Sequence, residues 1–177
     1  CDACIIEYNY SYNCDGAAYQ CYQGTNNIFR YNLGINGGHT CQASGFRNTG
    51  SNTFFYHNTI LRTLLDQVDP LILSENVGTF YNNILYISGK TNAKFFVLQN
   101  ESSDSSIYGN LYSVGYGSTF KVKINSTDYT SLAAFKAAGS YETKDGNSFG
   151  VEGDPMFNGI ATLTNPSFVG DTTGQLF

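Results

Sequence analysis

Tryptophan is absent from these 177 residues, methionine occurs once, proline three times and histidine twice. With so few histidines, neither a His-Glu-x-x-His pair nor a Ser-His-Asp signature is legible. Charge is scarce as well. Nine Lys and Arg against fourteen Asp and Glu leave a formal net charge of -5 and a sequence pI near 4.8. A nucleic-acid binder carries a basic face, so no nucleic-acid partner is expected. No apolar run approaches the ~20 residues of a membrane-spanning helix, and no membrane partner is expected. Cys1 is not followed by a basic and then apolar leader. Either a targeting segment has been removed, or the chain starts inside a longer polypeptide.

What the chain does have is 14 Tyr, 13 Phe and 19 Gly, with 41% of residues apolar. That composition suits one domain with one core, rich in β-strands and turns. The five cysteines, Cys1, Cys4, Cys14, Cys21 and Cys41, all lie in the first quarter and are candidates for disulfides. Sequence does not choose among the pairings. The Cys1-x-x-Cys4 spacing also suits zinc, but no second pair stands at finger spacing, so no metal is assigned. Sequons occur at Asn9, Asn100 and Asn125. Clustered cysteines and sequons together predict an extracellular, secreted setting.

An internal repeat decides the fold. Five segments superpose on a shared asparagine: Asn9, Asn32, Asn58, Asn83 and Asn110, at intervals of 23, 26, 25 and 27 residues. Three residues before it stand Ile6, Phe29, Phe55, Phe80 and Ile107. Two before it stand Glu7, Arg30, Tyr56, Tyr81 and Tyr108, and directly after it Tyr10, Leu33, Thr59, Ile84 and Leu111. Alternation on both sides of one turn residue means short strands with one buried face. Such units bury that face only by stacking, which predicts a parallel β-solenoid with one continuous apolar column inside. The asparagine has two reasons to recur: it tolerates the left-handed backbone of a sharp turn, and its amide can both donate and accept in a ladder. A ladder position turns Asn9 inward, leaving Asn100 and Asn125 as the glycosylation candidates.

Beyond the fifth segment, residues 120–124 alternate as one more strand. Residues 128–139 read as a short helix, capped by Asp128, Thr130 or Ser131 and ended by Gly139. Its Leu132 and Phe135 share a face that could cover the end of the solenoid. The division expected is coils over 1–127 and a C-terminal capping segment of the same domain over 128–177.

The Tyr31-Asn32 and Asn82-Asn83 turns carry a resemblance, together with the run 131–139, Asn147-Ser148-Phe149 and Asp154-Pro155-Met156-Phe157. The chain resembles the right-handed parallel β-helix proteins of the pectate-lyase-like superfamily over residues 4 to 158. The resemblance implies an all-β right-handed solenoid of about five to six coils. It leaves activity open among lyases, glycosidases, epimerases, adhesins and phage spikes. In a lyase it implies an acidic calcium site with a sugar-directed Arg or Lys; in a hydrolase, paired carboxylates. The chain has fewer coils than enzymes of this class, and nothing before Ile5 can cap the first one. Further polypeptide, another protein or a second copy would have to cover that end.

For catalysis, Asp15, His39, Arg62, Asp66 and Lys90 stand four to eight residues past their ladder asparagines and so share a flank. Asp66, Asp69 and Glu75 form the best acidic cluster for a cation, without any metal-loop spacing. For binding, Tyr56, Tyr81 and Tyr108 occupy an outward position where aromatic rings can meet a polysaccharide or other glycan. The uncovered first coil also suits end-to-end stacking into filaments. The sequence thus reads as a non-catalytic extracellular module, structural or glycan-interacting and without cofactor. The alternative is the C-terminal half of a polysaccharide lyase or glycoside hydrolase, with Ca2+ if a lyase.

Overall fold

The computed structural model describes residues 1–38, 43–63, 70–89, 92–99, 104–138 and 140–156. The first rung holds β1 (Ile5–Glu7), β2 (Tyr10–Tyr12) and β3 (Tyr19–Cys21); the second holds β4 (Ile28–Arg30), β5 (Leu33–Ile35) and β6 (Phe46–Asn48). β7 (Thr53–Tyr56), β8 (Thr59–Arg62) and β9 (Ile72–Ser74) form the third, and β10 (Gly78–Tyr81), β11 (Ile84–Ile87) and β12 (Phe96–Leu98) the fourth. The fifth holds β13 (Ser106–Tyr108), β14 (Leu111–Val114) and β15 (Val122–Ile124). Between rungs, first strands pair with first strands, second with second and third with third, all parallel. This is a parallel β-helix with a buried asparagine ladder, as the repeat predicts, and its strands form three sheets.

The number of coils is smaller than expected. The five rungs are joined by about four turns, rather than making five to six coils. Residues 120–124 contribute the third strand of the last rung, and the chain then reverses. β16 (Thr127–Tyr129) pairs antiparallel with β15 and occupies the edge of the third sheet, where a sixth rung would have placed its third strand.

Register follows the repeat. Ile6, Phe29, Phe55, Phe80 and Ile107 are direct neighbours across the first sheet. From Phe29 onward each is at most 4% exposed. The third sheet adds rings that the repeat does not reveal. Phe46 stacks on Phe55 at 4.3 Å between centroids, and Phe96 meets Phe80 edge-on at 5.6 Å. A smaller cluster of Ile35, Leu61 and Tyr86 forms on the second sheet, so that sheet is buried on more than its core side.

The turn between first and second strands corrects one reading. The left-handed residue is not the ladder asparagine but the one before it: Tyr8, Tyr31, His57, Asn82 and Gly109, with φ of 57°, 55°, 53°, 53° and 71°. Asparagine therefore recurs for its amide and not for backbone tolerance. Gly109, having no Cβ, meets the conformational demand without strain, and a Cβ there would also run into the Asn82 side chain.

At the C-terminal end, helix α1 (Leu132–Ala137) starts at Ser131, whose hydroxyl accepts from the Ala134 N–H at 3.1 Å. Of the three proposed caps, Ser131 is the one used. Gly139 lies outside the described residues. Leu132 and Phe135 are buried as expected, with Phe135 packed between Phe120 and Tyr141. Ser131→Ala removes one cap and is expected to lower stability by about 1 kcal/mol, read from the chemical-denaturation midpoint. After the hairpin of β17 (Thr143–Lys144) and β18 (Asn147–Ser148), β19 (Val151–Glu152) lies parallel on β14.

Candidate functional site

The asparagine ladder runs through one corner of the solenoid with a single polarity. Each Oδ1 accepts both the backbone N–H and the Nδ2 of the asparagine one rung nearer the N-terminus. Asn32 accepts from Asn9 at 3.0 and 3.0 Å, Asn58 from Asn32 at 3.0 and 3.0 Å, and Asn83 from Asn58 at 2.9 and 3.2 Å. Asn110 accepts from Asn83 at 3.1 and 3.0 Å. The donors of Asn110 then meet a carboxylate. Glu142 takes the backbone N–H at 3.3 Å and Nδ2 at 2.9 Å, and also accepts the Tyr112 hydroxyl at 2.6 Å. Glu142 has no solvent exposure. Burial pushes its carboxyl above the usual carboxylate range, while the donors from Tyr112 and Asn110 pull the other way. Tyr112 is pushed well up by the same burial and by its acidic neighbour.

Outside this corner, two columns run along the solenoid at rung spacing, about 4.8 Å. In the first, Arg30 donates to Glu7 at 2.6 Å and to the Tyr56 hydroxyl at 3.2 Å. Tyr56, Tyr81 and Tyr108 stack at 4.6 and 4.9 Å, nearly parallel, and the Lys144 ammonium sits 4.6 Å from the Tyr108 ring centre. Burial, then the neighbouring Tyr56 and Tyr108, pushes the Tyr81 phenol up to about 12. The second column is built from the left-handed residues: Tyr8 stacks on Tyr31 at 5.4 Å, Tyr31 on His57 at 5.3 Å, and Asn82 Nδ2 lies 3.3 Å from His57 Nε2. Both faces of Tyr81 are thus taken up by Tyr56 and Tyr108, and Tyr108 lies between Tyr81 and Lys144. Tyr8 differs, being 75% exposed. The repeat placed Tyr8, Tyr31 and His57 in phase, directly before the asparagine, and that was the available signal for this column.

The five flank residues proposed for catalysis are only partly described. Asp15 is exposed in the β2–β3 turn, whereas Arg62 is fully buried at the end of β8, two rungs away. His39, Asp66 and Lys90 lie outside the described residues, as do Asp69, Asn100 and Cys41. Glu75 of the acidic cluster is held by Arg47 at 3.0 Å. Among the described residues no three His, Cys, Asp or Glu side chains gather into a set that could hold a metal ion. Cys1, Cys4, Cys14 and Cys21 are thiols, with Cys21 buried and accepting from Asn27 Nδ2 at 3.5 Å. Asn125 is exposed in the β15–β16 turn. Asn9 joins the ladder yet is exposed, with no rung above it among the described residues.

A shallow concavity of about 420 Å³ opens on the second sheet, lined by Tyr86, Ser113, Gly115, Glu152 and Asp154. Its acidic pair comes from the segment that returns to cover β14, far from the repeat phase. Comparison of the chain with protein-family models, with curated proteins and with solved structures finds no match.

Proposed function

We propose that this chain is a non-catalytic extracellular β-helix module, structural in role, whose tyrosine corner meets a glycan. The pectate-lyase-like relationship and the right-handed coil belong to this reading. What carries it is the unbroken outward column of Glu7, Arg30, Tyr56, Tyr81, Tyr108 and Lys144. A column of stacked rings stiffens a solenoid along its axis, each aromatic pair adding about 0.5–1.5 kcal/mol beyond its area. It also lines up phenolic hydroxyls at rung spacing, an arrangement suited to hydrogen-bonding a polymer laid along the axis. Sugar-ring stacking in this geometry falls to Tyr8, which is largely exposed, rather than to Tyr81 and Tyr108, whose faces are occupied.

Tyr81→Ala tests both halves. It breaks two ring pairs, so a loss of about 2 kcal/mol is expected in denaturant unfolding. Retention on immobilised polysaccharides in affinity electrophoresis should weaken with it. A destabilised variant with undiminished retention would leave the column structural and remove the glycan.

A further inference from the structure

On the second sheet, Ile60, Leu85 and Tyr112 belong to the main core, so the residues alternating with them stand on the outer face. That outer column reads Ile35, Leu61, Tyr86 and Ser113 in register, and its side chains become small at the end. Beyond Ser113 the next level falls to Gly153, because Glu152 is registered on Tyr112 and Gly153 follows it. The loss of side-chain volume leaves the concavity of about 420 Å³, within the range of small-molecule sites. Gly115 keeps one side open, since a Cβ there would run into the Tyr86 hydroxyl.

Two polar residues are buried here without being satisfied. Tyr86 is 9% exposed and Ser113 5%. Both line the concavity, and neither hydroxyl has a hydrogen-bond partner among the described residues. Buried hydroxyls are ordinarily bonded. At the rim stand Glu152 and Asp154, both exposed. Asp154 Oδ1 accepts from the Met156 N–H at 2.8 Å. Neither carboxylate has an ion-pair partner among the described residues, and no Lys or Arg is among the lining residues.

We infer that this concavity binds a primary ammonium group carried on a small organic ligand. The set of oxygens selects that chemistry. Two carboxylates can only accept, and two unpaired hydroxyls can join them, so the matching ligand donates and brings positive charge. An ammonium has three donors and no acceptor, and it relieves the repulsion between carboxylates two residues apart. Calcium takes roughly six to eight oxygen ligands, and no metal-holding set gathers among the described residues. A neutral sugar leaves the two charges uncompensated. The concavity lies on a different sheet from the tyrosine column, so the inference stands apart from the glycan reading.

Such an ammonium is found on polyamines, on amino sugars and on lysine side chains, and one titration separates them. Isotope-labelled protein is titrated with cadaverine, glucosamine and Nα-acetyl-lysine amide, at ionic strength matched with sodium chloride. At least one is expected to shift the amide signals of Ser113, Gly115 and Gly153 saturably, with a Kd on the order of 1 mM. The tightest of the three identifies the source. N-acetylglucosamine keeps the sugar hydroxyls, loses the charge and is expected to shift nothing. Tyr86→Phe and the double variant Glu152→Gln/Asp154→Asn are each expected to weaken binding at least about fivefold. The first deletes only an unpaired hydroxyl and the second changes exposed groups; unmoved amide signals of Asn58 and Asn83 would check that the fold is kept. The inference is overturned by no saturable shift from any of the three amines, or by equal shifts from glucosamine and N-acetylglucosamine. Tighter binding of calcium chloride at the same amides, or affinity unchanged in both variants, would overturn it as well.

Discussion

Asn58→Leu is expected to destabilise the protein by about 4 kcal/mol. Asn58 sits in the central rung with its side chain buried. Its Oδ1 accepts two hydrogen bonds from Asn32, and its Nδ2 donates to Asn83 Oδ1, to Phe29 O at 3.0 Å and to Tyr56 O at 3.0 Å. Leucine has nearly the same volume and removes all of these, stranding the Asn32 N–H in the interior. A buried unpaired donor costs about 1–3 kcal/mol, and here several partners lose a bond at once. Asn58→Asp is expected to be nearly as harmful, because Asn83 Oδ1 would then face an acceptor. By contrast Asn9→Leu, at the exposed end, should cost below about 1 kcal/mol. Equal losses at Asn9 and Asn58 in urea unfolding would show that the ladder is not what holds the corner.

Glu142→Ala is expected to lose about 3 kcal/mol, since it leaves the Asn110 N–H, Asn110 Nδ2 and the buried Tyr112 hydroxyl without their acceptor. Glu142→Gln keeps one acceptor oxygen but turns its amide N–H toward one of the two Asn110 donors, so an intermediate loss of about 2 kcal/mol is expected. The acid form also makes stability depend on pH. Burial raises the folded-state pKa of Glu142 above its ordinary 4.5, so the folded protein holds this proton more tightly than the unfolded chain does. Its contribution is therefore fully present below pH 4.5 and is lost as pH rises through the elevated folded value. The wild-type advantage over Glu142→Gln should shrink upward through that window and then level off. An advantage that grew with pH would mean that the Tyr112 and Asn110 hydrogen bonds outweigh burial and hold the carboxylate ionised.

Much of the fold was legible because the solenoid repeats one environment. Ile6, Phe29, Phe55, Phe80 and Ile107 face the same interior in successive rungs, so the same chemistry recurs at the same distance from the asparagine. The third sheet obeys the same stacking but escaped notice. Its registered residues Tyr19, Phe46, Ile72, Phe96 and Val122 stand 10, 14, 14, 13 and 12 residues past their asparagines. Variable turns between the second and third sheets slide them out of phase, and a fixed-period reading loses them. Tyr56, Tyr81 and Tyr108 lie in the constant segment, and their column was foreseen. Arg62 lies there too, in register with Ile87 and Val114 four residues past the asparagine, but it was read by its charge rather than by that register, and its burial was not foreseen.

By itself the sequence determined the solenoid, the apolar column, the amide ladder and the outward tyrosines, because hydrogen bonding between in-register parallel strands forces like residues onto like. Only the tertiary structure decided how the ladder ends. Glu142 follows Asn110 by 32 residues, outside the repeat, and reaches its place after the β15–β16 reversal and the helix. No local pattern marks a carboxylate as the final rung. Its role comes from the two donors that Asn110 must bury and from the absence of another asparagine below them.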